Sequence, residues 1–322
     1  MKKHKIGVSV LLLFLLMSFQ TDKPAYQIFD AAGKKSSYQS ILEKAQEADI
    51  ILFGESHNNP IIHWLQIELT KDLYKILSKN SNIIKEGKIF RTKNNLILGA
   101  EIFEADNQTI LDEYLNDIIT EKNFEAEARL WNNYKTDYKP LVEFAKENNL
   151  DFVATNIPRR YASLVSKKGL SSLDELSEDA KRFMMPLPIE VDLKMPAYAN
   201  MLKMMGVHST SDTETVSEGA ANFAYAQAVK DATMAYRINE YYKQERVTQN
   251  KKAEKKNSIF LHFNGSYHSD NYESIVYYLR KYNPSLKIMT ITAADQKDLD
   301  VLEKTNVADF AIVTPLSMTK TY

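Results

Sequence analysis

The chain has 322 residues, of which 44% are hydrophobic and 26% are charged, and its formal net charge is −1. This balance is typical of a globular protein and offers no basic surface to nucleic acid, so we expect no nucleic-acid partner. The absence of cysteine excludes disulfides, thiolate metal sites and a lipoprotein anchor.

The first predicted element is an export signal over residues 1–20, because three lysines precede an apolar stretch over 6–19. A stretch of this length suits a secretory signal and is short for a membrane-spanning helix. We expect cleavage near Gln20, which leaves a single domain over 21–322 in the periplasm or cell envelope. The alternative is an uncleaved anchor that associates with the membrane through 6–19.

Apolar runs alternate with helical periodicities along the domain, which indicates an α/β fold with a mostly parallel central sheet flanked by helices. Strands are predicted over 49–53, 96–101, 150–155, 258–263, 286–291 and 310–313. Helices are predicted over 37–48, 61–77, 107–115, 139–148, 171–183, 218–242 and 272–282. No strand signal occurs in 161–257, which we interpret as a helical insertion between the third and fourth core strands, and 78–95 is predicted to be a surface loop.

Polar side chains follow the ends of three predicted strands. Glu55 and His57 come directly after the first strand, Glu101 ends the second, and His268 follows the fourth within the same Gly-x-x-His pattern as His57. If these strands are neighbours, the side chains meet at the carboxyl edge of the sheet, where α/β proteins bind ligands. Two histidines and a carboxylate suit a divalent metal, whereas capping and bracing of the turns is the simpler interpretation.

Further residues could complete a ligand pocket. His63 lies one turn into the helix after the first motif, where it either faces the same cleft or is exposed. The predicted insertion is rich in methionine, which ordinarily fills irregular cores. It also contains Tyr198 and His208, and haem iron accepts methionine, histidine or tyrosine. Arg159 follows the third strand and either pairs with ligand carboxylates or is a surface charge at a helix start.

Six motifs occur in a fixed order around these residues. They are Gly54-Glu55-x-His57-x-Asn59-Pro60-x-x-His63-x-x-Gln66, Glu101-Ile102-Phe103-Glu104, Trp131 with Tyr138-Lys139-Pro140-Leu141, Asn156-x-Pro158-Arg159, Ala226-Gln227 with Asp231-Ala232-Thr233-Met234-Ala235, and Asn264-Gly265-Ser266-Tyr267-His268. Together they resemble the ChaN-like haem-binding uptake proteins of the Tiki superfamily, with TraB/PrgY-type proteins and erythromycin esterases as more distant relatives. The resemblance covers roughly residues 45–290.

The Tiki side of this resemblance implies a metal site. In Tiki-like metal proteases two such histidines and a glutamate are the proposed ligands, which corresponds to His57, His268 and Glu101 in this chain. Glu55 would be the base or a further ligand. The metal would be Mn, Co or Zn, and a bound water would be the nucleophile.

The ChaN side of the resemblance implies haem, held between the subunits of a homodimer through tyrosine and histidine. The family's haem ligands do not map onto this chain residue by residue. Our candidates from chemistry and position are Tyr198, His208 and Tyr267, and Tyr267 stands where the family usually has glycine. From the helix motif we expect Gln227 and Asp231 to support the site from behind.

The sequence therefore leads to one main hypothesis and two alternatives. The main hypothesis is an exported haem-binding protein that acts in iron or haem acquisition, with haem or another small molecule as its partner. The alternatives are a metal-dependent hydrolase of the Tiki-protease or esterase type and a binding module without catalysis. The sequence does not decide whether the protein is an enzyme.

Overall fold

The computed structural model of the protein describes residues 23–79, 82–85, 88–91, 96–206, 217–250 and 258–322. The predicted signal segment 1–20 and the haem-ligand candidate His208 lie outside the described residues. The strands are β1 (Gln27–Asp30), β2 (Ile50–Glu55), β3 (Asn82–Lys85), β4 (Lys88–Arg91), β5 (Leu96–Glu104), β6 (Phe152–Asn156), β7 (Ile259–Gly265), β8 (Ile288–Gln296) and β9 (Phe310–Pro315).

Seven of these strands form one sheet, in the order β1-β9-β8-β2-β7-β5-β6. Strand β1 is antiparallel to β9, and every other pair of neighbours is parallel. This arrangement confirms the predicted α/β class with a mostly parallel sheet. The described helices are α1 (Tyr38–Ala45), α2 (Pro60–Lys79), α3 (Gln108–Leu115), α4 (Glu121–Glu127), α5 (Lys139–Glu147), α6 (Arg159–Lys168), α7 (Glu178–Lys181), α8 (Pro196–Met204), α9 (Glu218–Asn250) and α10 (Ile275–Tyr282).

Helices cover both faces of the sheet, as the continuous apolar run of β2 requires. Successive residues of a strand point to opposite faces. Ile51 and Phe53 pack into a core with α2, α3 and α5, whereas Ile50 and Leu52 pack into a second core with α6, α9 and α10. All six residues of β2 are buried, which is typical of a parallel strand covered on both sides.

Between β6 and β7 the structure places α6, α7, α8 and α9, and no strand occurs in the described residues of that segment. The long helix α9 packs against α6 and α10. A stripe of small side chains with no exposed surface, including Ala224, Ala228 and Ala232, allows this close approach. None of the helices in the described ranges combines the length and apolar character that crossing a membrane would need.

Several sequence expectations about local structure were wrong. Residues 78–95 contain the antiparallel pair β3–β4 instead of only a loop. The helix expected over 171–183 is replaced by a 3₁₀ turn, Leu170–Leu173, and the short helix α7, which begins where Ser177 accepts a hydrogen bond from the amide of Ala180. Strand β1 was not predicted, because it has only four residues and too short an apolar run to mark a strand.

The order of the strands places the two Gly-x-x-His motifs side by side. Strand β7 lies between β2 and β5 and is parallel to both. In the β2–β7 pair Glu55 is opposite Gly265, so the two chain segments leave the sheet at the same level. The sequence argument depended on these strands being neighbours, and they are.

Candidate functional site

The first side of the site is the turn that joins β2 to α2. Asn59 is fully buried, and its side-chain oxygen accepts hydrogen bonds from the amides of Ile61 (3.1 Å) and Ile62 (3.2 Å). This cap satisfies amides at the start of α2, whose first residue, Pro60, is suited to that position. The turn between Glu55 and Asn59 therefore has a fixed start and a fixed end.

Glu55 is a buried carboxylate surrounded by donors. Its Oε1 accepts a hydrogen bond from His57 Nδ1 at 2.9 Å and one from the Tyr138 hydroxyl, and its Oε2 accepts one from Gln66 Nε2 at 2.6 Å. Burial acts to raise the pKa of Glu55. The hydrogen bond from His57 and the charges of His63 and His57 outweigh burial, so the pKa lies below its ordinary value and the group is ionised.

His57 lies at the open face of the site, with about a third of its side chain (36%) exposed. Its ring contacts Trp131 edge-on, with 4.8 Å between the ring centroids. Burial acts to lower the pKa of His57, but the hydrogen bond to Glu55 and the negative charges of Glu101 and Glu55 raise it. A Cβ atom on Gly265 would lie only 2.9 Å from His57 Nε2, so the imidazole occupies the space that glycine leaves.

The second side of the site is a buried ion-pair group around His268, which lies in the 3₁₀ turn Ser266–His268 that follows β7. His268 Nε2 is 3.1 Å from Glu101 Oε1, and its Nδ1 is 2.5 Å from Asp231 Oδ1. Glu101 Oε2 also accepts a hydrogen bond from the amide of Gly265 at 2.8 Å. Burial acts to lower the pKa of His268, but the two carboxylates raise it to about 10, so the ring is an imidazolium.

Helix α9 places Asp231 and Gln227, which the sequence argument put behind the site, beside His268. Asp231 has no exposed surface and accepts a hydrogen bond from His268 Nδ1. The Gln227 amide nitrogen lies 3.1 Å from His268 Nδ1 and 3.2 Å from Nε2, and because an imidazolium offers only donors, Gln227 packs against the ring without a hydrogen bond to it. Behind Asp231, the hydroxyl of Tyr198 donates to Asp231 Oδ2 at 2.9 Å. Tyr198 is itself fully buried, so it supports the carboxylate of Asp231. The sequence analysis had instead expected it to line the haem pocket.

His63 and Arg159 were also predicted to line the ligand pocket, and the structure gives each of them other partners. His63 is 4% exposed; its Nδ1 lies 2.9 Å from the side-chain oxygen of Gln66, and its Nε2 lies 3.0 Å from the backbone carbonyl of His57. It therefore braces the turn from behind.

Arg159 is exposed and pairs with the buried carboxylate of Glu104, as does Arg129. Tyr267, another predicted pocket residue, is 41% exposed. Its hydroxyl donates to the carbonyl of Ala197.

The donor set does not fit the metal site that the Tiki resemblance implied. Both ring nitrogens of His268 already face carboxylates, Nε2 toward Glu101 and Nδ1 toward Asp231. Glu101 is likewise occupied by His268 and by the amide of Gly265. Within the described ranges, no group of three His, Asp or Glu side chains is placed to hold a metal ion.

Three residues of the site had no assigned role in the sequence argument. Gln66 and Tyr138 bind Glu55, and Asn133 donates to the backbone carbonyl of His57 at 2.7 Å. Gln66 lies three residues after His63 on α2, so helical spacing could have identified it. Tyr138 ends a five-residue π-helix, Tyr134–Tyr138, whose wide turn has no clear sequence signature.

Comparisons with known proteins show what this chain is similar to. The family model described as haem-binding uptake, Tiki superfamily, ChaN matches residues 41–279. A structure of ChaN of Campylobacter jejuni, described as showing cofacial haem binding, is 16% identical, with 90% of this chain and 96% of that chain covered and a TM-score of 0.60. A mutant of erythromycin esterase EreC in its open conformation is 12% identical, with 89% and 83% covered and a TM-score of 0.41. No curated protein matches the chain.

Proposed function

Because the chain belongs to the haem-binding uptake family of the Tiki superfamily, the ChaN family, we propose that it binds haem at the carboxyl edge of β2, β7 and β5. The family model covers every residue of the site described above. His57 and Tyr267 are both partly exposed, and both are residue types that haem iron accepts as axial ligands.

The observation that carries this proposal is the way His57 is held. Its Nδ1 donates to the ionised Glu55, so in the neutral ring the lone pair is on Nε2. Metal-ligating histidines are typically oriented by such a carboxylate, which fixes the tautomer and makes the free nitrogen more basic. Glu55 is itself fixed by Gln66 and Tyr138, so the imidazole is positioned before any ligand arrives.

Exposed aromatic side chains occur on two of the elements that form the site, which suits an apolar macrocycle. Tyr267 is 41% exposed and Phe223 is 43% exposed. Phe223 lies one turn before Gln227 on α9, on the face of that helix that reaches His268. Trp131 adds a third ring beside His57. A planar apolar ligand that covered these rings would remove their apolar surface from water.

Membership of the ChaN family also leads us to propose a wider biological role, in haem or iron acquisition. A chain with the predicted export segment 1–20 would carry out haem or iron acquisition in the periplasm or cell envelope. The ChaN structure from Campylobacter jejuni is described by cofacial haem binding. By analogy, we propose that a second copy of this chain covers the haem-binding face, which gives a homodimer.

A haemin titration tests the proposal. We expect the purified protein to shift the Soret band of haemin and to saturate at a fixed stoichiometry. His57→Ala should weaken binding by about tenfold or more, since one axial bond and its orientation are lost. Tyr277→Phe is the control, because Tyr277 is similarly exposed (37%) on α10. Absence of any Soret shift in the wild-type protein, or an unchanged affinity in His57→Ala, would contradict the proposal.

A further inference from the structure

The segment 320–322 packs onto the turn that carries His57, although it lies outside residues 41–279, which the family model matches. We propose that Lys320 and Thr321 are positioning residues for the ligand site, because they fix the backbone that holds His57. This inference rests on the proposed haem-binding function. It concerns a part of the chain that the family resemblance does not cover.

Thr321 binds the turn in two ways. Its amide donates to the carbonyl of Asn58 at 3.0 Å, and its hydroxyl donates to Asp137 Oδ2 at 2.8 Å. The same Oδ2 accepts from Asn133 Nδ2 at 2.7 Å, and that amide group also donates to the carbonyl of His57 at 2.7 Å. The Thr321 hydroxyl therefore sets the orientation of a buried carboxylate and amide that hold the peptide of His57.

Lys320 secures the far end of the turn. Its ammonium group lies 2.5 Å from Asp295 Oδ2. Asp295 Oδ1 accepts from Asn59 Nδ2 at 3.0 Å and from the Thr314 hydroxyl at 2.6 Å. Asn59 is the buried cap of α2, so Lys320 holds through Asp295 the residue that determines where the turn ends.

These contacts reach three consecutive residues of one turn. The carbonyl of His57, the carbonyl of Asn58 and the side chain of Asn59 are each connected to Lys320 or Thr321 directly or through a buried group. The turn has a backbone hydrogen bond of its own from the amide of Asn59 to the carbonyl of Ser56 at 2.9 Å. His63 Nε2 also lies 3.0 Å from the carbonyl of His57, so the segment 320–322 adds to constraints that the turn already receives from α2.

A positioning role and a merely stabilising role predict different results. If the segment only adds stability, its loss should lower the free energy of unfolding and leave haemin affinity unchanged. If it positions His57, affinity and the environment of the His57 ring should change together. The ring environment is measurable without haem, because the His57 ring lies 4.8 Å from Trp131 and its proton resonances carry a ring-current shift from the indole.

The experiment compares Thr321→Val with Thr321→Ser in the full chain. Valine keeps the shape and removes the hydroxyl, whereas serine restores the donor. We expect haemin binding to weaken by roughly tenfold in Thr321→Val, the factor that corresponds to one net hydrogen bond, and to return to near the wild-type value in Thr321→Ser. Lys320→Gln tests the other anchor. The control is Thr109→Val, at an exposed threonine on α3.

Haemin titration and the NMR resonances of the His57 ring are recorded for each variant. A weaker affinity together with a displaced His57 resonance in Thr321→Val, both reversed in Thr321→Ser, supports the inference. An affinity within about twofold of the wild type and an unmoved resonance overturn it. If the wild-type protein binds no haemin, the proposed function fails. The resonance then decides the positioning role alone: displacement supports it and constancy overturns it.

Discussion

The substitution Gly265→Ala tests the geometry of the site most directly. A Cβ atom at this position would lie 2.9 Å from His57 Nε2, 3.0 Å from His57 Cε1 and 3.5 Å from Glu101 Oε2. Since non-bonded heavy atoms are at their best separation at about 3.5–4.0 Å, the imidazole must move by about 0.5 Å or more. The His57 ring is partly exposed and can do so, at the expense of its hydrogen bond to Glu55.

The expected loss of stability in Gly265→Ala is therefore limited to part of one hydrogen bond. One lost hydrogen bond to a charged group corresponds to about 1.5–3 kcal/mol at most, and water can replace part of it at the open face. Gly54→Ala is the matched comparison. There a Cβ atom would lie 2.8 Å from the Cα atom of Ser266 and 2.9 Å from the carbonyl oxygen of Ile291, and neither backbone atom can swing aside. Overpacking against backbone should cost about 3 kcal/mol, the upper part of the usual range.

Haemin affinity should be more sensitive than stability to Gly265→Ala. We expect at least about a tenfold weaker affinity, because His57 no longer occupies its position, while the midpoint of urea unfolding falls less than in Gly54→Ala. Urea denaturation of both glycine variants and a Soret titration of Gly265→Ala measure the two effects. The reasoning is refuted if Gly265→Ala binds haemin as tightly as the wild type, or if it unfolds at lower urea than Gly54→Ala.

Three further predictions concern the buried ion pairs. Asp231→Asn should lower the free energy of unfolding by about 3 kcal/mol, because it leaves a buried imidazolium with one carboxylate, and urea denaturation measures this loss. Tyr198→Phe should cost about 1.5–2 kcal/mol by the same assay, since it removes a hydrogen bond to that carboxylate. The pKa of His268 is raised from 6.5 to about 10, so its stabilising contribution is complete below pH 6.5 and is lost as the pH rises through 10. Unfolding midpoints should therefore fall as the pH rises from 6.5 to 10, and less steeply in Asp231→Asn; a flat profile in the wild type would contradict the assignment.

The sequence was sufficient for the parts of the fold that have a long, regular signal. The run 49–53 and the periodic stretch 61–77 correspond to β2 and α2. Four apolar residues in succession before a turn favour a buried strand, and a helical repeat sustained over several turns favours a helix. Strand β1 and the pair β3–β4 have strands of four residues each. Whether a segment of this length forms a strand depends on the strand with which it pairs, and the local sequence does not identify that strand.

The same distinction applies to the site. Strand ends showed that Glu55, His57, Glu101 and His268 would converge, because parallel neighbours deliver their ends to one edge. Sequence could not show that His268 would lie between two carboxylates, since Asp231 comes from a helix that packs beside the sheet. That arrangement gives both ring nitrogens of His268 carboxylate partners, at a position where the family resemblance implied a metal ligand.

Contacts made through backbone atoms were the least predictable. Asn133 donates to the carbonyl of His57, and the amide of Thr321 donates to the carbonyl of Asn58. Any residue has a carbonyl, so the acceptors leave no trace in the sequence. The sequence also did not distinguish the exposed Tyr267 from the buried Tyr198, because both tyrosines have apolar and polar neighbours in the chain.

The parallel arrangement of β2, β7 and β5 has a consequence for the order in which the chain folds. Neighbours in this part of the sheet come from distant parts of the sequence, since β7 begins at Ile259 and pairs with strands that begin at Ile50 and Leu96. Non-local pairings are slow to form, because the loops between them must close first. The central strand of the three is also the last to be synthesised. The site therefore forms only late in folding, and ligand binding would select chains whose sheet is already complete.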